Sequence, residues 1–221
     1  DKAFRDGDYS SAASFYGRYL EEAKNSGDPE KERDAYERRI DALILSRSPD
    51  EAEKLLRNYK LNFTGADPIA VTMWNAEILL LRNQAEEAKK EIERIYSALT
   101  SDNPRRVHAV LLLARAHEKL NDYAGAAELY FSIASPKRKK NVPRQELAAW
   151  ERGIFCLAFT PKAEEGLTMI LDYPELLAAE RKDSLQLLTC FIMMKLEPGK
   201  KPAALWNQCR ALEGNKKNDL S

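Results

Sequence analysis

The sequence predicts an all-α fold, a solenoid of stacked antiparallel helix pairs with about 11 helices. The main observation is a set of alanines that recur every 36 to 40 residues, most of them followed by large apolar residues four and seven positions later. A period of this length in a helical chain indicates stacked helix pairs. The aligned alanines are Ala12, Ala52, Ala88, Ala126, Ala163 and Ala203.

The composition supports helices and argues against several ligand classes. Of 221 residues, 44% are hydrophobic and only nine are glycine. The 35 acidic and 35 basic residues cancel, so overall charge gives no reason to expect a nucleic-acid partner. The most apolar stretch, residues 185–196, is too short and too polar to cross a bilayer, so no membrane span is expected.

Helix starts are marked by a polar residue followed by proline, at 28–29, 48–49, 67–68, 103–104 and 160–161. The polar side chain can accept a hydrogen bond from an unpaired backbone N–H, and proline at the first helical position has no N–H to lose. Together with helical periodicity, these marks predict helices over 8–24, 29–46, 49–61, 68–82, 84–99, 104–120, 122–134, 143–158, 161–172, 175–196 and 202–212.

No linker or low-complexity run divides these helices, so we predict one repeat domain over residues 1–221 with one partial unit and five helix pairs. Only residues 1–6 precede the first turn, which indicates a fragment of a longer chain. The three cysteines, Cys156, Cys190 and Cys209, lie among apolar residues and are expected to be reduced thiols. Reduced thiols favour a cytoplasmic location slightly over a periplasmic or envelope location, and the compartment is otherwise open.

The repeat resembles the tetratricopeptide repeat (TPR) family. The residues that carry the resemblance are Leu113, Ala114, Ala116, His117, Asn121, Asp122, Tyr123, Ala126, Tyr130 and Ile133, with Gly7, Asp8, Tyr9, Ala12, Tyr16 and Tyr19 in an earlier unit. The other units depart from the pattern, most of all at Asn207, where a large apolar residue belongs. The resemblance implies a right-handed superhelix and a non-catalytic scaffold that binds a peptide or partner protein in a concave groove lined by the first helices.

In that geometry, the residues eleven positions before the alanines face the groove, namely Asp41, Glu77, Arg115, Arg152 and Ile192. The residues seven and eight positions before the alanines also face the groove, and they are apolar in its first half and charged in its middle. The predicted partner-binding residues are Asp41, Glu77, Leu81, His108, Arg115, Lys119 and Arg152. The groove would be acidic and apolar in its first half and basic in its middle. An alternative stays open, in which these charges pair across neighbouring helices, as Glu77 with Arg115 could.

Other candidate sites favour structural interpretations. The basic run 137–140 is interpreted as a solvated loop rather than a contact for phosphate or an acidic protein. His108 and His117 lie nine residues apart, on opposite helix faces, so they cannot share a metal. No metal-ligand spacing, phosphate-binding loop or nucleophile motif occurs, and we expect no metal, no cofactor and no enzymatic activity. Core positions are expected for His117, Trp74, Trp150 and Trp206.

The sequence therefore predicts a protein–protein interaction scaffold, and two alternatives remain. The chain could be a structural segment of a bacterial cell-envelope or secretion assembly that acts through the ends of the solenoid, with end-to-end oligomers. It could also be the regulatory or sensor arm of a larger enzyme or transcription factor.

Overall fold

The computed structural model describes residues 2–134, 144–172, 182–199 and 207. Every regular element in these ranges is a helix, which confirms the all-α prediction. The helices are α1 (Lys2–Arg5), α2 (Tyr9–Ser26), α3 (Pro29–Leu45), α4 (Pro49–Asn62), α5 (Pro68–Leu81), α6 (Ala85–Tyr96), α7 (Arg106–Lys119), α8 (Tyr123–Ile133), α9 (Arg144–Leu157), α10 (Ala163–Leu171) and α11 (Lys182–Leu196). The predicted helix 202–212, the basic run 137–140, Trp206 and Cys209 lie outside the described ranges, apart from Asn207.

Two helices begin later than the Asx/Thr-Pro signals predict. At α7 the Asn103 side chain accepts a hydrogen bond from the Arg105 backbone N–H at 2.9 Å, and the helix begins at Arg106. At α10 the Thr160 hydroxyl accepts from the Lys162 N–H at 3.1 Å, and the helix begins at Ala163. In both places the polar side chain caps a turn, which delays the helix by two residues.

The helix-pair turns repeat one backbone geometry. A residue with positive φ stands five positions before each of the first four aligned alanines: Gly7 (81°), Arg47 (59°), Asn83 (61°) and Asn121 (61°). In three of these turns the next backbone N–H bonds back to the carbonyl five residues earlier, as from Ser48 to Leu43 at 2.9 Å. This left-handed cap satisfies the last carbonyls of the first helix and reverses the chain. The Ala163 unit lacks it, because Ala158 has no positive φ.

The aligned alanines are small because they lie where helices meet. Ala12, Ala52, Ala88 and Ala126 have no accessible surface, and Ala163 is 5% exposed. Four residues further on, the first four units bury a large side chain in each case, Tyr16, Leu56, Ile92 and Tyr130. The repeat read from the sequence therefore coincides with a repeated packing position.

The chain divides into two compact units, Asp1–Leu120 and Asn121–Ser221. In the first unit each helix packs against the next one along the chain, and α3 also packs against α5, and α5 against α7. The buried cluster under α2 to α5 includes Leu20, Ile40, Leu56 and Tyr59. The single domain over 1–221 stays a prediction.

In the second unit α8 packs against α9, α10 against α9 and α11, and α9 against α11. Trp150 and Ile154 of α9 are buried, which agrees with the core position expected for Trp150. A Cβ atom added at Gly153 would lie 2.7 Å from the Phe131 ring, so a larger residue at this position would force the ring or the helices α8 and α9 to move.

Asp67 ties two first helices together, and its loss is expected to be measurable. Its carboxylate accepts from the Ile69 N–H at 2.9 Å and pairs with Arg105, before α7. Burial works to raise the pKa of the Asp67 carboxyl, but the Arg105 guanidinium and the Ile69 N–H outweigh it and hold that pKa below its usual value. We expect Asp67→Ala to lower the free energy of unfolding by about 0.5–2 kcal/mol.

The contribution of Asp67 depends on pH with a defined sign. Because the folded-state pKa is lowered, the stabilisation is present above pH ~4 and is lost as the pH falls through the folded value. Urea unfolding of wild type, Asp67→Ala and Asp67→Asn at pH 7 and pH 3 measures this. Asp67→Asn keeps the cap and is expected to lose less than Asp67→Ala. A difference between wild type and Asp67→Ala that is equal at both pH values would contradict the assignment.

Candidate partner-binding surface

Side chains from α3, α5 and α7 meet on one side of the first unit. The indole N–H of Trp74, on α5, donates to Asp41 Oδ1, on α3, at 2.7 Å. The Nε2 atom of His108, on α7, lies 2.8 Å from Glu77 Oε1, on α5. Each contact joins one first helix to the next. We call the surface formed by Asp41, Trp74, Glu77 and His108 the α3–α5–α7 face.

Asp41 is accessible to solvent and at the same time closely surrounded by protein. Loss of hydration raises the pKa of its carboxyl, and the charges of Glu77 and Glu37 raise it further. The hydrogen bond from Trp74 lowers that pKa, but by less than the other effects raise it. The α3–α5–α7 face therefore holds a carboxylate whose charge is only partly compensated, in a place that water can reach.

Tyr59 of α4 holds Glu37 and Trp74, two neighbours of Asp41, in position. Its hydroxyl donates to Glu37 Oε1 at 2.6 Å and accepts from Arg33 Nε at 3.2 Å. Its ring packs edge-on against Trp74, with centroids 5.6 Å apart. Burial, and then the hydrogen bond to Glu37, raise the pKa of the Tyr59 hydroxyl, so it stays a neutral donor. Glu37 and Trp74 are thus held in place by one buried phenol.

The remaining predicted residues of the first unit lie near this face in different environments. Arg115 is exposed and makes no ion pair with any described residue. Lys119 donates to the Asn83 Oδ1 at 2.7 Å, which ties it to the turn before α6, and Leu81 is half-buried. Glu77 contacts His108 and not Arg115. The structure thus brings Asp41, Glu77 and His108 together and leaves Arg115 apart from them.

In the second unit Arg152 borders an open groove between α9 and α11. The guanidinium lies 4.6 Å from the centroid of the Phe155 ring, and that ring stacks on Phe191 at 5.7 Å. The groove has a volume of about 370 Å³, and 62% of Leu187 at its border is exposed. We call this surface the α9–α11 groove; Lys195 approaches the same aromatic cluster, 5.7 Å from the Phe191 centroid.

In this unit the count from the alanines places Arg152 at the groove but misplaces Ile192. Ile192, eleven positions before Ala203, is fully buried, and Phe191 lines the groove instead. Cys156, seven before Ala163, is also buried, while Phe155 is half-exposed.

In the ranges the structure covers, no three His, Cys, Asp or Glu side chains are placed to hold a metal ion. His117 is half-buried within α7 and has interactions of its own. None of the described helices combines the length and apolar character needed to cross a membrane.

The sequence did not indicate that Glu37, Tyr59 and Trp74 lie beside or support the α3–α5–α7 face. Trp74 is expected in the core from its helical spacing, but it is half-buried and its N–H points to Asp41. In the sequence, Tyr59 is marked only by its position seven residues after Ala52. Comparisons with protein-family models, curated proteins and solved structures find no match to this chain.

Proposed function

We propose that the chain is a right-handed solenoid of TPR-like helix pairs and acts as a non-catalytic scaffold that binds a peptide or protein segment along its first helices. The packing of α3 on α5 and of α5 on α7 supports the stacking of first helices. The repeated left-handed turns and buried alanines support a common unit.

One observation carries the binding role: Asp41 holds a solvent-accessible carboxylate in surroundings that disfavour its charge. Its pKa is raised by lost hydration and by the charges of Glu77 and Glu37. The Trp74 N–H stabilises the carboxylate, but the loss of hydration and the charges of Glu77 and Glu37 outweigh it. Proteins keep destabilising groups mainly where binding or activity needs them. A cationic side chain of a partner would relieve this cost, so we infer that Asp41 contacts a Lys or Arg.

The α9–α11 groove supports contact with a different part of a partner. It combines the aromatic rings of Phe155 and Phe191 with the positive charge of Arg152. Aromatic residues and arginine are the types that dominate binding energy at interfaces. The partner segment expected here carries an apolar side chain beside an acidic one.

A peptide selection followed by charge reversal tests the proposal. Peptides selected from a random display library against the whole chain are titrated by fluorescence anisotropy against wild type, Asp41→Lys and Arg152→Glu. Exposed residues on α2 and α6 supply matched controls, Glu22→Lys and Lys90→Glu. We expect the affinity for each peptide to fall at least about tenfold in one of the two site variants, since charged contacts at interfaces contribute this much or more.

The controls are expected to bind as wild type does. Unchanged affinity in both site variants would contradict binding along the first helices and favour assembly through the solenoid ends. Failure to select any peptide would contradict the proposal as well.

A further inference from the structure

A pocket of about 360 Å³ opens between α2, α3 and α4, away from the surfaces described above. Arg39 and Asp41 are two residues apart on α3, so their side chains point about 200° apart around the helix. The pocket therefore lies on the side of α3 opposite to Asp41. The charged residues that line it are Lys24, Arg39, Lys54 and Glu51, three cations against one carboxylate.

The central cation of this pocket lacks a protein partner. The Arg39 Nε atom is buried and has no hydrogen-bond acceptor among the described residues. Leaving a buried donor unsatisfied is unfavourable, and more so for a charged group. Lys24 bonds to Glu21 at 3.0 Å, whereas Lys54 and Glu51 are exposed and form no ion pair within the described part of the chain. An acceptor that enters the pocket would bond to the terminal Nη groups of Arg39, since the Nε atom itself has no accessible surface.

Helix α2 is adapted to hold the Arg39 guanidinium in place. Gly17 lies in the interior of α2, where glycine is less favourable than alanine. A Cβ atom at position 17 would lie 3.2 Å from Arg39 Cζ and 3.4 Å from Nε. The missing side chain lets the guanidinium lie against the helix backbone. Packing against α2 therefore holds the guanidinium in place, although no described residue accepts a hydrogen bond from its Nε atom.

We propose that this pocket binds a small molecule that carries a phosphate group. Lys24 is already paired with Glu21, so Arg39 and Lys54 are the two lining cations without an ion pair in the described part of the chain. A phosphate monoester carries about 1.5 to 2 negative charges at pH 7 and has three oxygens that can accept from both side chains at once. The planar arginine fork matches phosphate geometry, and lysines act as flexible point charges beside it.

Titration with pyrophosphate, followed by NMR of the arginine Nε–Hε groups at constant ionic strength, tests the proposal. We expect a saturable shift of the Arg39 signal in the wild-type chain. Arg39→Met and Lys54→Met are expected to weaken binding at least about tenfold, from the loss of a charge-assisted hydrogen bond. Arg38→Met is the control, because Arg38 lies next to Arg39 on α3 but pairs with Asp34 outside the pocket.

Gly17→Ala tests whether binding depends on the position of the Arg39 guanidinium and not only on its charge. It keeps every charge, raises helix propensity and crowds Arg39, so it is expected to weaken binding without unfolding the chain. Lys54 is exposed, so Lys54→Met also keeps the test valid if Arg39→Met fails to fold. No saturable shift with pyrophosphate up to about 10 mM, beyond the range of a weak site, would overturn the proposal. So would equal affinity in all variants, or acetate binding as tightly as pyrophosphate.

Discussion

Replacing Tyr59 with alanine is expected to lower the free energy of unfolding by about 3–5 kcal/mol, as for large aromatic residues removed from a core. The side chain is 1% exposed. Its ring centroid lies 5.2 Å from that of Phe63 and 5.6 Å from that of Trp74, so one ring joins α4 to α5. Truncation would leave a cavity that the surrounding helices can fill only by shifting.

Tyr59→Phe isolates the hydroxyl from the ring. The hydroxyl bonds to Glu37 and Arg33, and its loss leaves both with one partner fewer. We expect a smaller loss, about 1–3 kcal/mol, the range for hydrogen bonds to charged groups. Urea unfolding followed by circular dichroism measures both variants. Leu61→Ala, on the same helix and 74% exposed, is the control. A Tyr59→Ala cost no larger than the control's would contradict the central place of Tyr59.

The second large effect concerns the alanine ladder. Ala126→Leu is expected to destabilise the protein by about 1–3 kcal/mol, because extra methylene groups in a packed interface force side chains or helices to move. Ala126 has no accessible surface. Ala124 lies two residues earlier on α8 and is exposed, so Ala124→Leu makes the same chemical change without the crowding. The control is expected to change stability by less than about 0.5 kcal/mol.

The same unfolding measurement compares the two leucine variants. If Ala126→Leu is as stable as Ala124→Leu, the aligned alanines do not mark close helix contacts. The packing explanation of the 36-to-40-residue period would then be wrong.

The sequence predicts helices well where local chemistry sets them. Asp28 and Asp67 cap α3 and α5 before a proline, and both helices begin where predicted. Asn83 and Asn121 also carry a local signal, since Asn tolerates the left-handed conformation better than most residues. Arg47 adopts the same conformation with no such signal, so its turn follows from the packing of the helices around it.

The surface is less predictable because it depends on contacts between helices distant in sequence. Counting back from the alanines places Asp41, Glu77 and Arg115 on first helices, but it cannot choose His108 over Arg115 as the neighbour of Glu77. That choice depends on how far α7 is offset along α5. The count also misplaces Ile192, which is buried while the neighbouring Phe191 lines the α9–α11 groove.

The central claim, that a partner segment lies along the first helices and places a cation at Asp41, is tested most directly by a charge exchange. A selected peptide with one essential lysine is compared with its glutamate version, each against wild type and Asp41→Lys, and Kd is measured for all four pairs. The account predicts that both single changes weaken binding at least about tenfold and that the doubly exchanged pair recovers most of the loss. Losses that simply add, with no recovery in the exchanged pair, would contradict it.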